Sequence, residues 1–300
     1  MELSIHNRQT SFNGKTKIYA ISDTHQETRN TASFLSHILT ASSGEKNVLF
    51  LHDGDFFKGI YPKQLERDTY IKMKESNPEI EMVMTLGNND FGFNKEWLDY
   101  LIETVKEFTQ KGIRVVCANI FDSSGKRPEW LKPYTVLTRD GDKTFITGFC
   151  IDNINTAKFG IYPKKQDMVL DEITQAIKQE KPDNIIILNH DYMPSSQNIY
   201  QKLKDAGINV DVMIGGHDHE KIYPDAEKHI YYPNAFGESM YEMELVNDNG
   251  HKAIKGFMVQ KNQDLSINQE FLPEIEQFEQ EANLLDNIVP SILNLPKKYS

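Results

Sequence analysis

Five short segments of this chain carry side chains that bind metal ions, and each follows an apolar run. They are Ser22-Asp23-Thr24-His25 after Ile21, His52-Asp53-Gly54-Asp55 after Leu51, Gly87-Asn88-Asn89-Asp90 after Leu86, Asn189-His190-Asp191 after Leu188, and Gly215-Gly216-His217-Asp218-His219 after Ile214. The ligand types, two Asp, one Asn and four His, mix oxygen and nitrogen donors without thiolate. That mixture suits Mn, Fe, Zn or Co, and it has too many imidazoles for Ca or Mg. So many ligands exceed what a single catalytic ion with an open position can use. Two ions sharing one carboxylate fit better, and the phosphate-ester chemistry known for such pairs holds the ions about 3.5–4 Å apart. A lone D-x-H or H-x-H is usually an incidental surface pair; the ordered set carries the inference.

The elements that must position these groups alternate between buried strands and helices. Lys17–Ile21, Val48–Leu51, Met82–Leu86, Ile113–Cys117, Phe145–Ile151, Ile185–Leu188 and Asp211–Ile214 read as strands. Thr31–Thr40, Lys95–Gln110 and Met168–Gln179 have helical spacing, and 230–246 and the region around Phe257 read as short antiparallel strands. Ligands of open α/β sheets collect outside the carboxyl ends of the strands, so five such ends can converge on one crevice. Phe271, Leu272, Ile275 and Phe278 form one face of a tail helix before an apolar stretch that Pro290 interrupts. No Gly/Ser linker divides the chain, so the expectation is one domain over 1–262 and a helical appendage over 263–300.

Three hundred residues with a net charge of −11 allow a sizeable core and argue against binding a nucleic-acid polymer or an anionic membrane. No run of 18 apolar residues occurs, and the polar start lacks the apolar region of a signal peptide. Cys117 and Cys150 are the only cysteines, so no disulfide framework is expected and a cytoplasmic, reducing setting is the default. Export by a route without an N-terminal signal is compatible with the same features. Both cysteines sit in strand patterns and read as core residues.

The ordered segments resemble the calcineurin-like metallophosphoesterases, whose pattern is D-x-H, G-D, G-N-H-[DE], H and G-H-x-H. Val115-Val116-Cys117-Ala118-Asn119, Lys132-Pro133-Tyr134-Thr135-Val136 with Thr147-Gly148-Phe149, and Asn234-Ala235-Phe236-Gly237 before Met240–Leu245 resemble the 5′-nucleotidase branch. The resemblance spans about residues 17–246. It implies a four-layer α/β/β/α sandwich. It implies that Asp23, His25, Asp55 and His219 hold a first divalent ion, and that Asp55 bridges to a second held by Asn88, His190 and His217. A hydroxide shared by the ions would then attack phosphorus in line, with activity falling in acid as the histidines protonate. Asp191 and Asp218 read either as hydrogen-bond partners of the ligands or as solvated loop acids.

Two departures stand out. The family has His after the Asn of its third motif, where this chain has Asn89; the Asp that orients that His is here Gly92. Asn89 can donate a hydrogen bond to a phosphoryl oxygen but cannot transfer a proton. General acid catalysis contributes roughly 10²–10⁴-fold, so poor leaving groups should suffer most. Asp90 and His52 are candidates to take its place; a turn acid and a buried strand-end histidine are the competing readings. Phe56-Phe57 and Phe91-Gly92-Phe93 read as substrate mouth or as core. The second departure is the short C-terminal part, which has no room for the nucleoside-binding domain of two-domain 5′-nucleotidases. The tail helix reads as a remnant of an interdomain linker or as a closing element packed on the domain.

The expected function is therefore a two-metal phosphoesterase acting on a nucleotide or similar small phosphate monoester. The alternatives are a phosphodiesterase, a protein phosphatase, or a non-catalytic metal-binding module that lost hydrolysis with Asn89 and Gly92. The protein-phosphatase reading is weakened because Gly54-Asp55 is not followed by Asp-Arg-Gly.

Overall fold

A computed structural model describes residues 14–57, 63–92, 94–153, 159–220, 224–248, 251–261, 265–272 and 275–276. Apolar runs buried on both faces form two sheets. The first has six strands, with β1 (Gly14–Ile21), β2 (Val48–His52), β3 (Glu81–Met84) and β4 (Ile113–Val115) parallel. The antiparallel β12 (Ser239–Asp248) and β13 (His251–Lys261) complete it beside β1, in the order β13-β12-β1-β2-β3-β4. The second sheet has the order β11-β10-β9-β7-β6, from β6 (Tyr134–Arg139), β7 (Asp142–Cys150), β9 (Asn184–His190), β10 (Val212–Gly215) and β11 (Ile230–Tyr231). A small ribbon pairs β5 (Ile120–Asp122) with β8 (Ile161–Pro163).

Strand alternation decides which layer each side chain enters. Ile18, Ala20, Leu49, Leu51 and Val83 of the first sheet pack against Ile146, Ile186, Leu188, Val212 and Ile214 of the second. Their neighbours Tyr19, Ile21, Phe50, Met82 and Met84 turn outward under α1 (Thr28–Ala41), α2 (Lys63–Ser76) and α3 (Lys95–Gln110). On the other side Phe145, Ile185, Ile187 and Met213 pack under α4 (Asp167–Glu180) and α5 (Met193–Asp205). This is the four-layer α/β/β/α sandwich.

Helix α3 has the bounds that its periodicity predicts and is capped by Asn94, whose side chain accepts from the Trp97 amide at 2.8 Å. Helices α2 and α5 and the β5–β8 ribbon are additions to the sequence reading. Phe56, Phe57 and Phe91 are fully buried, so they are core and not substrate mouth; Phe93 lies outside the described residues. Within the appendage a 3-10 turn covers Gln269–Phe271, and Phe271 and Ile275 are buried in the cluster beneath α1–α3. Phe278 and Pro290 lie outside the described residues. Both cysteines are free and buried. Among the described residues no helix is long and apolar enough to cross a membrane.

Candidate metal centre

The five segments leave β1, β2, β3, β9 and β10 at their carboxyl ends and meet at the seam between the two sheets. Asp23, His25, Asp55 and His219 form one group and Asp55, His190 and His217 another; in each, one ligand atom per residue lies within 4.8 Å of the others. Asp55 belongs to both. Asn88 joins the second group, with its Oδ1 2.7 Å from His217 Nδ1.

The loops adopt costly backbone to achieve this. Asp23, His25, Gln26, Asp55 and His217 have φ of 49°, 48°, 62°, 54° and 72°, a region that side chains with a Cβ avoid. Neighbouring amides hold the first two loops together: Asp23 N donates to Gly54 O, His25 N to Asp55 O and Gln26 N to Phe56 O, at 3.0, 3.0 and 3.2 Å. Gly54 and Gly87 pack backbone to backbone, so a Cβ on Gly54 would meet the Gly87 backbone, and one on Gly87 would meet the Asp55 carboxylate. The aspartates are oriented from several sides. Ser22 Oγ donates to Asp23 Oδ2 at 2.5 Å, and the His217 amide donates to the same carboxylate at 3.0 Å. Asp55 accepts from the Asn89 backbone amide at 2.7 Å and from Asn89 Nδ2 at 2.6 Å. His190 Nδ1 donates to the Asp53 carbonyl at 2.6 Å, which aims Nε2 into the centre.

Charge follows geometry. Burial is the largest influence on Asp23 and Asp55 and opposes their ionisation. His190 with His219 and Ser22 at Asp23, and His190 with His25 and Asn89 at Asp55, together outweigh it, and each carboxyl lies below the usual carboxylate range. Burial would lower His190; Asp55 and Asp23 overcome that and raise it well above an ordinary histidine. Burial lowers His25 and His217, whereas the hydrogen bond to Asp23 raises the more exposed His219.

These residues fit divalent cations. Two carboxylates, an amide oxygen and four imidazoles converge with no thiolate among them. His25 Nε2 and His219 Nε2 stand 2.9 Å apart, close enough to share one proton or, with both unprotonated, one cation. His190 Nε2 is buried with no hydrogen-bond partner, although Asp55 Oδ2 lies 3.3 Å away off the hydrogen-bonding direction.

Several expectations change. Asp90, expected as a substitute proton donor, has no exposed surface. Its carboxylate accepts from the backbone amides of Asp55, Gly87 and Phe57 at 2.8, 2.8 and 3.0 Å, which is the work of a loop-holding residue. His52 is also no acid. It is buried, burial pushes its pKa down to about 3, and it accepts from the Gly54 amide on Nδ1. Asn89 turns its amide onto Asp55 instead of into solvent. Gly92 has φ of 64°, and any Cβ there would collide with the Trp97 ring, whose Nε1 donates to the Asp90 carbonyl at 2.9 Å. Asp191 bonds Gln166 at 2.8 Å and its own loop, not His190, and Asp218 caps a turn through the Glu220 amide.

Two aromatic residues flank the centre and escape a search for metal ligands. The Phe236 ring lies 5.3 Å from His25 and 4.9 Å from His219, and the half-exposed Tyr192 ring lies 4.7 Å from His217. Their signal is position: Tyr192 comes two residues after His190, and Phe236 donates its amide to the Asp23 carbonyl at 2.7 Å.

Residues 16–221 match the family described as calcineurin-like phosphoesterase. An apyrase from Tabanus yao is 29% identical over 220 residues, covering 70% of this chain and 36% of its own. The chain thus spans about a third of that relative's length. Among solved structures, a 5′-nucleotidase precursor from Thermus thermophilus superposes with a TM-score of 0.68 at 17% identity, covering 91% of this chain and 60% of its own. A calcineurin-like phosphoesterase from Bacillus subtilis does so with a TM-score of 0.68 at 19% identity, covering 90% and 98%. At these identities the two structures speak for the fold alone.

Proposed function

The chain belongs to the calcineurin-like phosphoesterase family, metal-dependent hydrolases of phosphoric esters, and on that premise we propose that it hydrolyses a small phosphate monoester, a nucleotide in the first instance, at a two-ion centre. The observation that carries this reading is the pair of donor groups sharing Asp55. Asp23, His25, Asp55 and His219 would hold one divalent ion, Mn, Fe, Zn or Co, and Asp55, Asn88, His190 and His217 the other. Such ions supply Lewis-acid polarisation of phosphoryl oxygens and acidify water.

The chain's own residues do the rest. Asn89 fixes the shared carboxylate through one amide N–H, and its second N–H is free to hold a phosphoryl oxygen but brings no transferable proton. Good leaving groups are therefore favoured over alkoxides. Tyr192, half exposed beside His217, offers a flat apolar face at the rim, which suits binding of a substrate whose leaving alkoxide carries an aromatic base, as a nucleoside does. The likeness to an apyrase and to a 5′-nucleotidase fold supports the nucleotide reading. A cytoplasmic setting agrees with the two free cysteines. Residues 263–300 read as an appendage to the 1–262 domain, docked through Phe271 and Ile275.

The test is hydrolysis of p-nitrophenyl phosphate, bis(p-nitrophenyl) phosphate and AMP by Mn-loaded protein. The monoesters should turn over faster than the diester, and chelation or Asp55→Asn should lower kcat by at least about 10³-fold. Metal binding with all three substrates untouched would sink the enzymatic reading.

A further inference from the structure

Helix α2 holds a carboxylate that the proposed chemistry does not use. Glu66 lies in its first turn and has no exposed surface. Four neutral hydroxyls surround it: Tyr70 donates to Oε1 at 2.9 Å, Thr24 to Oε1 at 3.1 Å, Thr31 to Oε1 at 3.3 Å and Thr28 to Oε2 at 3.2 Å. A buried carboxylate needs such partners, because its lone pairs would otherwise have lost water without replacement.

The four donors are not equivalent. Thr28 and Thr31 have second acceptors in the backbone, Gln26 O at 3.1 Å and Glu27 O at 3.2 Å. Thr24 does not. Its oxygen sits 3.2 Å from His52 Nε2, and because His52 Nδ1 accepts from the Gly54 amide at 3.1 Å, Nε2 carries the ring proton and donates to Thr24. The Thr24 hydroxyl proton is thereby left for Glu66 Oε1 at 3.1 Å, a nearer acceptor than Tyr70 Oη at 3.5 Å, which donates its own proton to the same carboxylate. A single chain of hydrogen bonds runs from the Gly54 amide through His52 and Thr24 to Glu66.

Thr24 stands between Asp23 and His25, both in left-handed backbone, and Gly54 precedes Asp55, which is left-handed too. Strained conformations of this kind cost about 1–3 kcal/mol each and persist only where the surroundings over-determine them. We infer that Glu66 is a positioning residue, which acts through Thr24 to hold the Asp23–His25 loop in register with Asp55 for the first ion. The inference rests on the metal-centre reading above. Burial raises the Glu66 pKa to about 7 despite the four hydroxyls, so the carboxylate carries its full charge only in mildly alkaline solution. The titratable groups facing it are Tyr70 from its own helix and, through Thr24, His52 from β2, with Asp90 beyond Tyr70.

The test is calorimetric titration of the full chain with Mn²⁺ at pH 8, alongside circular dichroism and thermal melts. Thr24→Val should weaken Mn²⁺ binding by tenfold or more, while Thr24→Ser, which keeps the hydroxyl, stays within about threefold of wild type. Glu66→Ala should match Thr24→Val, and Glu66→Gln, whose amide oxygen still accepts from Thr24, should restore most of the affinity. Thr31→Val removes a hydroxyl from the same carboxylate without touching the ligand loop, so it should lower the melting temperature and leave Mn²⁺ affinity within twofold. If Glu66→Ala does not fold, the Thr24 and Thr31 variants decide. Equal loss in Thr24→Val and Thr31→Val, or wild-type affinity in Thr24→Val, overturns the inference while the metal reading stands. No Mn²⁺ binding by the wild-type protein overturns both.

Discussion

At the residue scale, the departure at Asn89 and Gly92 is joined to a third residue. The volume that an Asp at position 92 would need is filled by the Trp97 indole, itself bonded to the Asp90 carbonyl, and Asp90 in turn gathers three loop amides. Putting back His and Asp together therefore disturbs packing as well as chemistry. Asn89→His alone should raise the ratio of AMP to p-nitrophenyl phosphate turnover by about tenfold, short of the roughly 10²–10⁴-fold of a general acid that a neighbouring carboxylate orients. Adding Gly92→Asp should destabilise the fold by roughly 2–4 kcal/mol through overpacking and positive-φ strain, measured by urea denaturation. A double variant as stable as wild type would mean that Trp97 has somewhere to go. Tyr192 gives a separate prediction. Tyr192→Ala should raise KM for AMP several-fold with kcat little changed, and leave ribose 5-phosphate unaffected, because only AMP has a base to meet the ring. Equal effects on both substrates would argue against that contact.

At the element scale, α2 matters more than its sequence suggests. Its residues are mostly polar, and the apolar positions Leu65, Tyr70, Ile71 and Met73 are too sparse to stand out as a helical face. Glu66 inside it looks like a solvated first-turn acid until the hydroxyls of Thr24, Thr28 and Thr31 are seen around it. Its ionisation has a signed consequence for stability. The folded-state pKa of about 7 lies above the ordinary 4.5, so the folded protein binds more protons between those values. The stabilisation is complete below pH 4.5 and is lost as pH rises through 7, by about 3 kcal/mol at most. Glu66→Gln lacks that titration. The stability of wild type minus that of Glu66→Gln should therefore fall steadily between pH 5 and pH 8 in denaturant melts; a flat difference would show that the carboxylate does not change charge there. The strands of the two large sheets and the helices α1, α3 and α4 were legible because their apolar residues keep one period; the β5–β8 ribbon was not. The metal-type residues were legible because each follows a buried strand. What stayed hidden depends on contacts across the chain: the Asp53 carbonyl behind His190, the amides that occupy Asp90, and the hydroxyls around Glu66.

At the scale of the whole molecule, the centre lies on the seam of the sandwich. Asp23, Asp55 and Asn88 extend from the six-stranded sheet, and His190, His217 and His219 from the five-stranded one. Between the sheets the contact is mostly apolar, from Ile18 to Leu188, with a directional bond such as Arg139 to Glu81 added at the start of β3. At the seam the directional contacts are few, such as the His217 amide on Asp23 and the His190 ring on the Asp53 carbonyl. Divalent ions bound here would join the two layers and offset two buried, ionised aspartates in a chain of net charge −11. Binding to the folded state alone stabilises it by about 2.7 kcal/mol at a ligand concentration of one hundred times Kd. For a domain of this size that corresponds to a rise of several degrees in melting temperature. Scanning calorimetry with Mn²⁺ and with EDTA should show that rise. Asp55→Asn should abolish most of it, because Asp55 belongs to both donor groups, while His219→Ala, confined to one group, should keep part. If Asp55→Asn gains as much from Mn²⁺ as wild type, the ions bind elsewhere and the seam is held by apolar packing and the direct hydrogen bonds across it.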